Sequence, residues 1–381
     1  MPLACQIVIK LTCILLFCVM AGRCRSLKSA AGGTLTVRKL FVTRKTTFYG
    51  VLEGTIMLSN LADRNPEPES PPRFSGSGNE PKAFIARIPP KHLVKLGRLF
   101  GSLVYFLDGP HRRIVRRNLK FTHPEWTHDK IKKISRRVFQ HLSITLLEFF
   151  QLAALSEEDV LKRVRIVGLQ NWTRALQSRN GLIIVSAHLG NWEIGLQYTC
   201  CLLQIPILGV AKKIRFKPLN RWVHRLRTRF GIRIIYKKGA LPEMRQALRQ
   251  GGILALLVDQ SRRSEGVDVH FFGRKVTATP AAAFLAIRCK SPVVPIFCIR
   301  ETDGRLTIHV EPPLELKRTK DLRADVQTNT QIITDAVETA VRKYPDQWFW
   351  VHKRWKKYYP NLYPEYQARR ERRQKRKGRR S

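Results

Sequence analysis

Short apolar runs alternate with amphipathic segments from Val164 almost to the end of the chain. A short apolar run bounded by glycine, proline or polar residues is typical of a buried strand, whereas apolar positions that recur every three to four residues indicate a helix. Because helical segments separate the runs, we predict an α/β fold with a mostly parallel sheet flanked by helices on both faces. The predicted strands are residues 182–187, 205–211, 232–236, 253–258, 293–299 and 306–310.

Helical periodicity is clearest in residues 92–107, 129–155, 241–249 and 322–343. The first of these segments is strongly apolar, carries only Lys95 and Arg98 as charges, and is followed by several arginines. Such a helix suits the interface of a membrane, where its cations face lipid phosphates. The pattern alone fits a buried core helix equally well. The second segment is amphipathic with a basic start, which is typical of a helix that packs on a sheet.

The amino-terminal part differs in composition from the rest. Residues 1–25 form an apolar segment that resembles a membrane anchor or a signal sequence, and the cations after it would keep the remainder in the cytoplasm. An anchor is the preferred interpretation, with a signal peptide or a wrongly assigned start as alternatives. Residues 26–90 are predicted to be an extension and flexible linker, residues 91–357 the main domain, and residues 358–381 a basic tail.

The chain is strongly basic: 70 Lys and Arg against 28 Asp and Glu give 381 residues a net charge of +42. A protein with this charge favours polyanions, namely nucleic acid, an anionic lipid surface or an acidic protein. The eight cysteines have neither disulfide-framework nor metal-site spacing, so reduced thiols facing the cytoplasm fit best.

The candidate chemistry centres on His188, which follows the predicted strand 182–187 and precedes a helical pattern. The carboxyl ends of strands are where open α/β sheets bind ligands. A neutral imidazole accepts a proton near pH 7, and a carboxylate on its other ring nitrogen fixes the tautomer. Glu193, in the first turn of the next helix, is the predicted carboxylate. With neither Ser nor Cys beside it, such a pair suits deprotonation of a substrate hydroxyl. A histidine that is merely hydrogen-bonded within a turn is the alternative.

Two further groups lie at the ends of predicted elements. Arg225, Arg227 and Arg229 precede Gly231, and the planar guanidinium suits a phosphate or a developing oxyanion. A solvated basic helix end is an equally good interpretation of any one of them. Asp259 follows strand 253–258, where a carboxylate facing a ligand cleft is a plausible site residue.

The segment His188-Leu-Gly-Asn-Trp-Glu193 resembles the HX4(D/E) signature of glycerolipid acyltransferases, and its wording is closest to the bacterial lipid A lauroyl/myristoyl acyltransferase family. The resemblance runs from near residue 93 to near residue 355. It recurs in Arg116-Arg117-Asn118-Leu119, in the block that begins at Asp259, and in the aromatic and basic block 347–356. From its composition the last block could stack on nucleic acid or form an interfacial belt, and the resemblance favours a packed or lipid-facing role.

This resemblance implies a membrane-associated enzyme of lipid A and lipopolysaccharide biosynthesis that moves a fatty acyl chain from a thioester to a lipid hydroxyl. His188 would be the general base, held by Glu193. Arg227 or Arg229 would bind an acceptor phosphate or the carbonyl oxygen, and Asp259 would orient that arginine. The expected location is the cytoplasmic (inner) membrane, with the site facing the cytoplasm and the protein bound to anionic lipid.

No metal or cofactor is expected, and the sequence offers no obvious metal site. The co-substrate is expected to be acyl carrier protein or CoA carrying the acyl chain as a thioester, so no covalent acyl-enzyme is needed. An acidic acyl carrier protein is the favoured donor for so basic a chain. No nucleic-acid partner is expected. Two other functions stay open: a hydrolase in which His188 activates water, and a basic membrane- or nucleic-acid-binding protein without catalysis. Acyl chain length, acceptor position and oligomeric state are not determined by these patterns.

Overall fold

The computed structural model describes residues 88–237, 239–261 and 266–367. The predicted anchor in residues 1–25, nearly all of the extension in residues 26–90, and most of the basic tail therefore lie outside the described residues.

Ten α-helices and nine strands form within the described residues. The helices are α1 (Pro90–Leu107), α2 (Gly109–Thr122), α3 (His128–Gln151), α4 (Glu157–Arg163), α5 (Leu169–Leu176), α6 (Trp192–Leu203), α7 (Lys217–Thr228), α8 (Ala240–Arg249), α9 (Ala281–Cys289) and α10 (Leu322–Lys343). The strands are β1 (Val164–Val167), β2 (Leu182–Ser186), β3 (Ile207–Ala211), β4 (Ile232–Tyr236), β5 (Ile253–Leu257), β6 (Val267–Phe271), β7 (Arg274–Ala278), β8 (Val293–Arg300) and β9 (Leu306–Val310).

Seven of these strands form one sheet in the order β1-β9-β8-β2-β5-β3-β4. All neighbours pair in parallel except β8 and β9, so β1 and β9 run opposite to the other five. The predicted α/β fold with a mostly parallel sheet is confirmed, and every predicted strand is present. The antiparallel hairpin β6–β7 lies outside this sheet and contacts α10.

Several elements were not predicted as separate units, among them strand β1, the hairpin β6–β7 and helix α2. Strand β1 spans only four residues and alternates in burial, so its apolar pattern is too short to register. The hairpin β6–β7 contains several charged residues, which mask its strand pattern. Helix α2 carries four arginines and reads in sequence as a basic stretch, although Ile114, Val115 and Leu119 are buried along one face.

The main hydrophobic core lies on the sheet face covered by α6 and α7. Ile184, Ile207 and Ile253 of three neighbouring strands pack there with Ile194 of α6 and Val223 of α7. These strand residues are buried branched aliphatics, which pack well on a pleated sheet. The core therefore supports β2 and β5 directly beneath the loops in which they end.

Helix α1 is half buried: one face packs on the protein and the other lies at the surface. Its inner face packs closely on α3, because Gly97 lies against Ile144 and Gly101 against Gln140. The outer face carries large apolar side chains that are 44–76% exposed, here called the apolar stripe: Leu96, Leu99, Leu103, Phe106 and Leu107. Every helix in the described part of the chain falls short, in length or in hydropathy, of what a bilayer span requires.

Replacing Gly101 by alanine should destabilise the fold. An added Cβ would lie 2.5 Å from Gln140 Cα and 2.6 Å from the Phe139 carbonyl oxygen, and both are backbone atoms that cannot move aside. We expect a loss of about 1–3 kcal/mol, the usual cost of overpacking, measured by urea unfolding of the full chain. Gly109→Ala is the control, since its Cβ would meet only arginine side chains at 3.8 Å. Equal effects of the two substitutions would contradict close packing of α1 on α3.

Candidate active site

His188 and Asp259 lie side by side because their strands are neighbours. Strands β2 and β5 pair in parallel with Ser186 opposite Leu257, and each site residue follows two positions later. His188 Nδ1 is 2.8 Å from Asp259 Oδ1, and the His188 backbone N–H donates to Oδ2 at 3.1 Å. One carboxylate thus binds both the ring and the backbone of the same histidine.

Asp259 is an ionised carboxylate enclosed by donors. Its side chain is 2% exposed. Burial alone would raise the pKa of Asp259, but the charge of His188, the hydrogen bond from its ring and one of 2.9 Å from the Trp348 indole together lower that pKa below its usual range. A carboxylate in this state accepts a hydrogen bond from the Nδ1–H group, so the Nε2 lone pair of the neutral imidazole points away from Asp259.

The His188 ring is partly exposed, and its Nε2 lies next to Gln260. The His188 side chain is 20% exposed, and the amide nitrogen of Gln260 lies 3.4 Å from Nε2. The ring centroid of Trp192 is 5.2 Å from that of His188, and the ring of Phe349 is at 5.9 Å. The imidazole is therefore held by a buried acid at Nδ1 and by aromatic rings beside it, and its basic Nε2 faces away from that acid.

Glu193 does not hold His188, so that prediction is wrong. Its carboxylate forms a two-point ion pair with Arg227: Arg227 Nε is 3.0 Å from Oε2, and Nη2 donates to Oε1. The Trp192 indole also donates to Oε1, at 3.3 Å. The reason is geometric: Leu189–Asn191 turn the chain before α6 begins at Trp192, and the first turn of α6 then faces α7 rather than the end of β2.

The predicted link between Asp259 and an arginine of the 225–229 group is also wrong, because the described contacts of Asp259 are to His188 and Trp348. The structure separates the two arginines that the sequence left equivalent. Arg227 lies beside Glu193, whereas Arg229 donates to the carbonyl oxygens of Leu152 (2.9 Å) and Ala153 at the end of α3. Of the two, Arg227 is the one held next to the site.

Backbone hydrogen bonds to two other segments of the chain fix the turn after His188. Gly190 has φ of 59°, and a Cβ there would collide with the Cys298 carbonyl oxygen, so glycine is required. The Gly190 N–H donates to Gln347 O at 3.1 Å, and the Asn191 N–H to Cys298 O at 2.8 Å. Asn191 then caps α6 by accepting from the Ile194 N–H at 3.0 Å.

A buried ion pair between Glu148 and Arg300 also holds this turn in place. Glu148 accepts from the Asn191 side-chain amide at 2.6 Å and from Arg300, and the two charged side chains are only 9% and 3% exposed. Gln347 bonds the Arg300 backbone in both directions. Sequence reasoning missed this network. A signal was present, because Glu148 interrupts the apolar face Leu146-Leu147-Glu148-Phe149-Phe150, where an unpaired charge would be too costly.

Removing that carboxylate should be among the more destabilising single changes in the chain. Glu148→Ala leaves Arg300 buried without its ion-pair partner, and we expect a loss of about 3–5 kcal/mol of unfolding free energy. Glu158→Ala is the matched control, since Glu158 pairs with Lys162 on the surface, where such pairs contribute about 0–1 kcal/mol. The measurement is the urea midpoint of each variant. If Glu148→Ala lowers the midpoint no more than the control does, the Glu148–Arg300 pair does not stabilise the fold.

The closing aromatic block packs inside the fold. Trp348, Trp350 and Trp355 are at most 1% exposed, so their rings are inaccessible for stacking on nucleic acid. Arg354 is buried with them and donates to Thr277 O at 2.9 Å; burial lowers its pKa to about 10, and Asp259 opposes that shift. The block therefore forms the wall behind Asp259. In the described part of the chain, no three His, Cys, Asp or Glu side chains are grouped as metal ligands.

Residues 81–357 match the family model for bacterial lipid A biosynthesis acyltransferases. The chain belongs to this family. The predicted enzyme class, an O-acyltransferase, is confirmed by this match and by the curated relatives.

Among those relatives, the lipid A biosynthesis myristoyltransferase of Escherichia coli is 28% identical over 291 residues, which cover 74% of this chain and 87% of the relative. The lipid A biosynthesis lauroyltransferase of E. coli is 22% identical over 284 residues, or 72% and 88% of the two chains. A lipid A biosynthesis acyltransferase of Haemophilus influenzae is 22% identical over 272 residues, or 70% and 83%. The family resemblance thus spans the whole region that contains the His188–Asp259 pair.

Proposed function

We propose that the protein transfers a fatty acyl chain from an acyl thioester to a hydroxyl group of a lipid A precursor. The names of the relatives support the reaction and the acceptor class. The observation that carries the chemistry is the 2.8 Å contact between His188 Nδ1 and a buried, ionised Asp259, which leaves the other ring nitrogen basic.

In the first step, His188 Nε2 takes the proton from the acceptor hydroxyl as its oxygen attacks the thioester carbonyl carbon. Asp259 stabilises the imidazolium that forms, as the acid of a catalytic triad does. General-base assistance of this kind contributes about 10²–10⁴-fold. The Gln260 amide lies 3.4 Å from Nε2. When the acceptor hydroxyl binds to Nε2, this side chain therefore moves aside or donates to the same nitrogen together with the hydroxyl.

In the second step, the tetrahedral intermediate collapses, the carbon–sulfur bond breaks, and Nε2 returns its proton to the leaving thiolate. The products are an ester and a free thiol, and His188 is again neutral. No acyl-enzyme is needed, since the thioester already activates the acyl group. The reaction as written uses the acyl thioester as co-substrate and needs no metal or cofactor.

Arg227 is proposed to bind an anionic group of the acceptor or the oxygen of the intermediate. Its pairing with Glu193 fixes the guanidinium plane, and Glu193 is the immediate neighbour of Trp192, whose ring lies beside His188. A fixed guanidinium loses little freedom on binding a phosphate, which favours this role. Glu193 is thus proposed as a positioning residue for Arg227 instead of for His188.

The donor is proposed to be acyl carrier protein, because an acidic protein complements a chain of net charge +42; acyl-CoA offers the same thioester. The proposed location is the cytoplasmic face of the inner membrane. The apolar stripe on α1 supports placement at a bilayer surface, where a lipid acceptor is found.

Mass spectrometry tests the function directly. Full-length protein is incubated with a lipid A precursor and with either acyl carrier protein or CoA carrying a defined chain. We expect the acceptor to gain the mass of one acyl chain, and more rapidly with the carrier protein. Release of free fatty acid at the same rate with and without acceptor would instead identify a hydrolase. An unchanged acceptor with both donors would reject the proposed acceptor, and lipid profiles of cells with and without the protein would then show which lipid changes.

A further inference from the structure

A basic groove lies where the end of α1 meets the beginning of α3, away from the candidate active site. Its volume is about 390 Å³, within the range of ligand pockets. Four cations and one carboxylate line it: Lys132, Lys133, Arg136, Arg137 and Asp129. The remaining lining residues are Tyr105, Phe106 and Gln140. The groove thus carries a clear excess of positive charge around an aromatic edge.

The cations repel one another along α3. Lys132 and Arg136, like Lys133 and Arg137, are one helical turn apart, and like charges at that spacing destabilise a helix. Asp346, 3.8 Å from Arg137, and Asp129, one helical turn before Lys133, offset part of this repulsion, which leaves four cations against two carboxylates. Within the described residues, Lys132 and Lys133 form no ion pair. An anion bound among these side chains would relieve the repulsion, so the charge of the groove favours an anionic ligand.

Arg136 is held in position for such a ligand. Its Nε donates to Ser102 Oγ at 3.2 Å, Gln140 donates to the same oxygen at 2.8 Å, and the guanidinium carbon is 5.7 Å from the centroid of the Phe106 ring. Ser102 is itself buried. The hydrogen bonds described for Arg136 use Nε alone, so its two terminal nitrogens can bind a phosphate, which guanidinium groups contact in two-point geometry.

Two arginines of α2 bind the carboxyl end of α1 next to the groove. Arg112 donates to the carbonyl oxygens of Tyr105 (2.7 Å) and Phe106 (2.9 Å), and Arg116 donates to the Tyr105 hydroxyl at 2.5 Å. These bonds fix the carboxyl end of α1 and add positive charge next to the groove. The aromatic edge is therefore rigid before any ligand binds.

The apolar stripe ends at this groove, since Phe106 belongs to both. Leu96 to Leu107 spans about 16 Å along one face of α1. An exposed apolar face with cations at its end is typical of helices that lie in the plane of a membrane interface, with side chains among the acyl chains and cations at the phosphates.

We propose that the basic groove binds the phosphate of an anionic membrane phospholipid while the apolar stripe inserts among the acyl chains of the same leaflet. This proposal rests on the proposed function, since an enzyme that acylates a lipid must work at a bilayer. It adds a headgroup site, separate from His188, that anchors the protein on the membrane. The apolar stripe favours this occupant over a soluble acidic protein, because hydrated acidic helices offer no partner for five exposed large apolar side chains.

Vesicle binding of the full chain tests the proposal in the absence of acyl donor. The vesicles are phosphatidylcholine alone or phosphatidylcholine with phosphatidylglycerol, and co-sedimentation gives the partition coefficient. The groove variant is Lys132→Gln/Lys133→Gln/Arg136→Gln. The matched control, Lys317→Gln/Arg318→Gln/Lys320→Gln, removes the same charge from exposed positions before α10. We expect the groove variant to bind phosphatidylglycerol vesicles about 10- to 100-fold more weakly and the control less than about threefold.

A second variant, Leu103→Gln/Phe106→Gln, should weaken binding to both kinds of vesicle. If the groove variant and its control lost vesicle affinity equally, net charge alone would drive binding, and the proposed headgroup site would be wrong. The proposal would also be wrong if the groove variant bound vesicles normally but transferred the acyl chain from acyl carrier protein more slowly. That result would assign the groove to the carrier protein. Millimolar inorganic phosphate should not displace the protein from vesicles; if it does, the groove binds free phosphate. Normal vesicle binding without any acyl transfer would reject only the proposed function.

Discussion

His188→Ala is expected to lower the rate of acyl transfer by about 10²- to 10⁴-fold, the usual contribution of a general base. The substitution removes the Nε2 that accepts the proton of the acceptor hydroxyl. Asp259 cannot accept that proton instead, because its carboxylate is buried. The rate is measured at saturating donor and acceptor, so that the change reports the chemical step and not substrate binding.

The control for this substitution is His270→Ala, which removes an exposed imidazole from strand β6. Its transfer rate should equal that of the unaltered protein. Circular dichroism and vesicle binding should be unchanged in both variants, because in His188→Ala the buried Asp259 still accepts hydrogen bonds from the Trp348 indole and from the backbone N–H of residue 188. A fully active His188→Ala protein would end the proposal that this histidine takes the acceptor proton.

Asp259→Asn is expected to lower kcat by a comparable factor, about 10²–10⁴-fold, although the side chain keeps its size. Asparagine is neutral, so it cannot stabilise an imidazolium, and its amide group can donate to Nδ1 and so reverse the tautomer. The equivalent change in a serine protease triad has an effect near the upper end of this range. The measurement is steady-state kinetics with acceptor varied at saturating donor.

Glu193→Gln is the matched comparison, since it also neutralises one carboxylate of the site. Because Glu193 pairs with Arg227 and not with His188, we expect it to raise the acceptor KM more than it lowers kcat. The reverse result, a Glu193→Gln protein with the larger loss of kcat, would mean that the acid of the HX4E motif is the working partner of His188 and that the observed contact with Asp259 is not used in the reaction.

These kinetic contrasts bear on how carboxylates are assigned from sequence. The motif places an acid five positions after the histidine, and proximity along the chain makes it the natural candidate. In the structure the partner is 71 residues away and arrives by strand pairing. A similar assignment in other chains should therefore weigh any acid that follows a neighbouring parallel strand.

Local patterns were sufficient for much of the fold. The apolar runs at β4 and β9 and the periodicity of α10 identified those elements with their observed ends, because each buries a regular face that composition alone makes visible. The same patterns located His188 at the end of a strand, and the motif identified the family to which the chain belongs.

The contacts of the site were decided by the tertiary structure. Whether Asp259 or Glu193 faces His188 depends on which strands are neighbours and on the direction of α6. The Glu148–Arg300 pair and the half-buried state of α1 likewise depend on partners far away in sequence. Hydrophobic periodicity records which side of an element is buried, but it carries no information about which element covers that side. Side-chain pairing, and with it the chemistry, is set only when the sheet order and helix packing bring distant residues together.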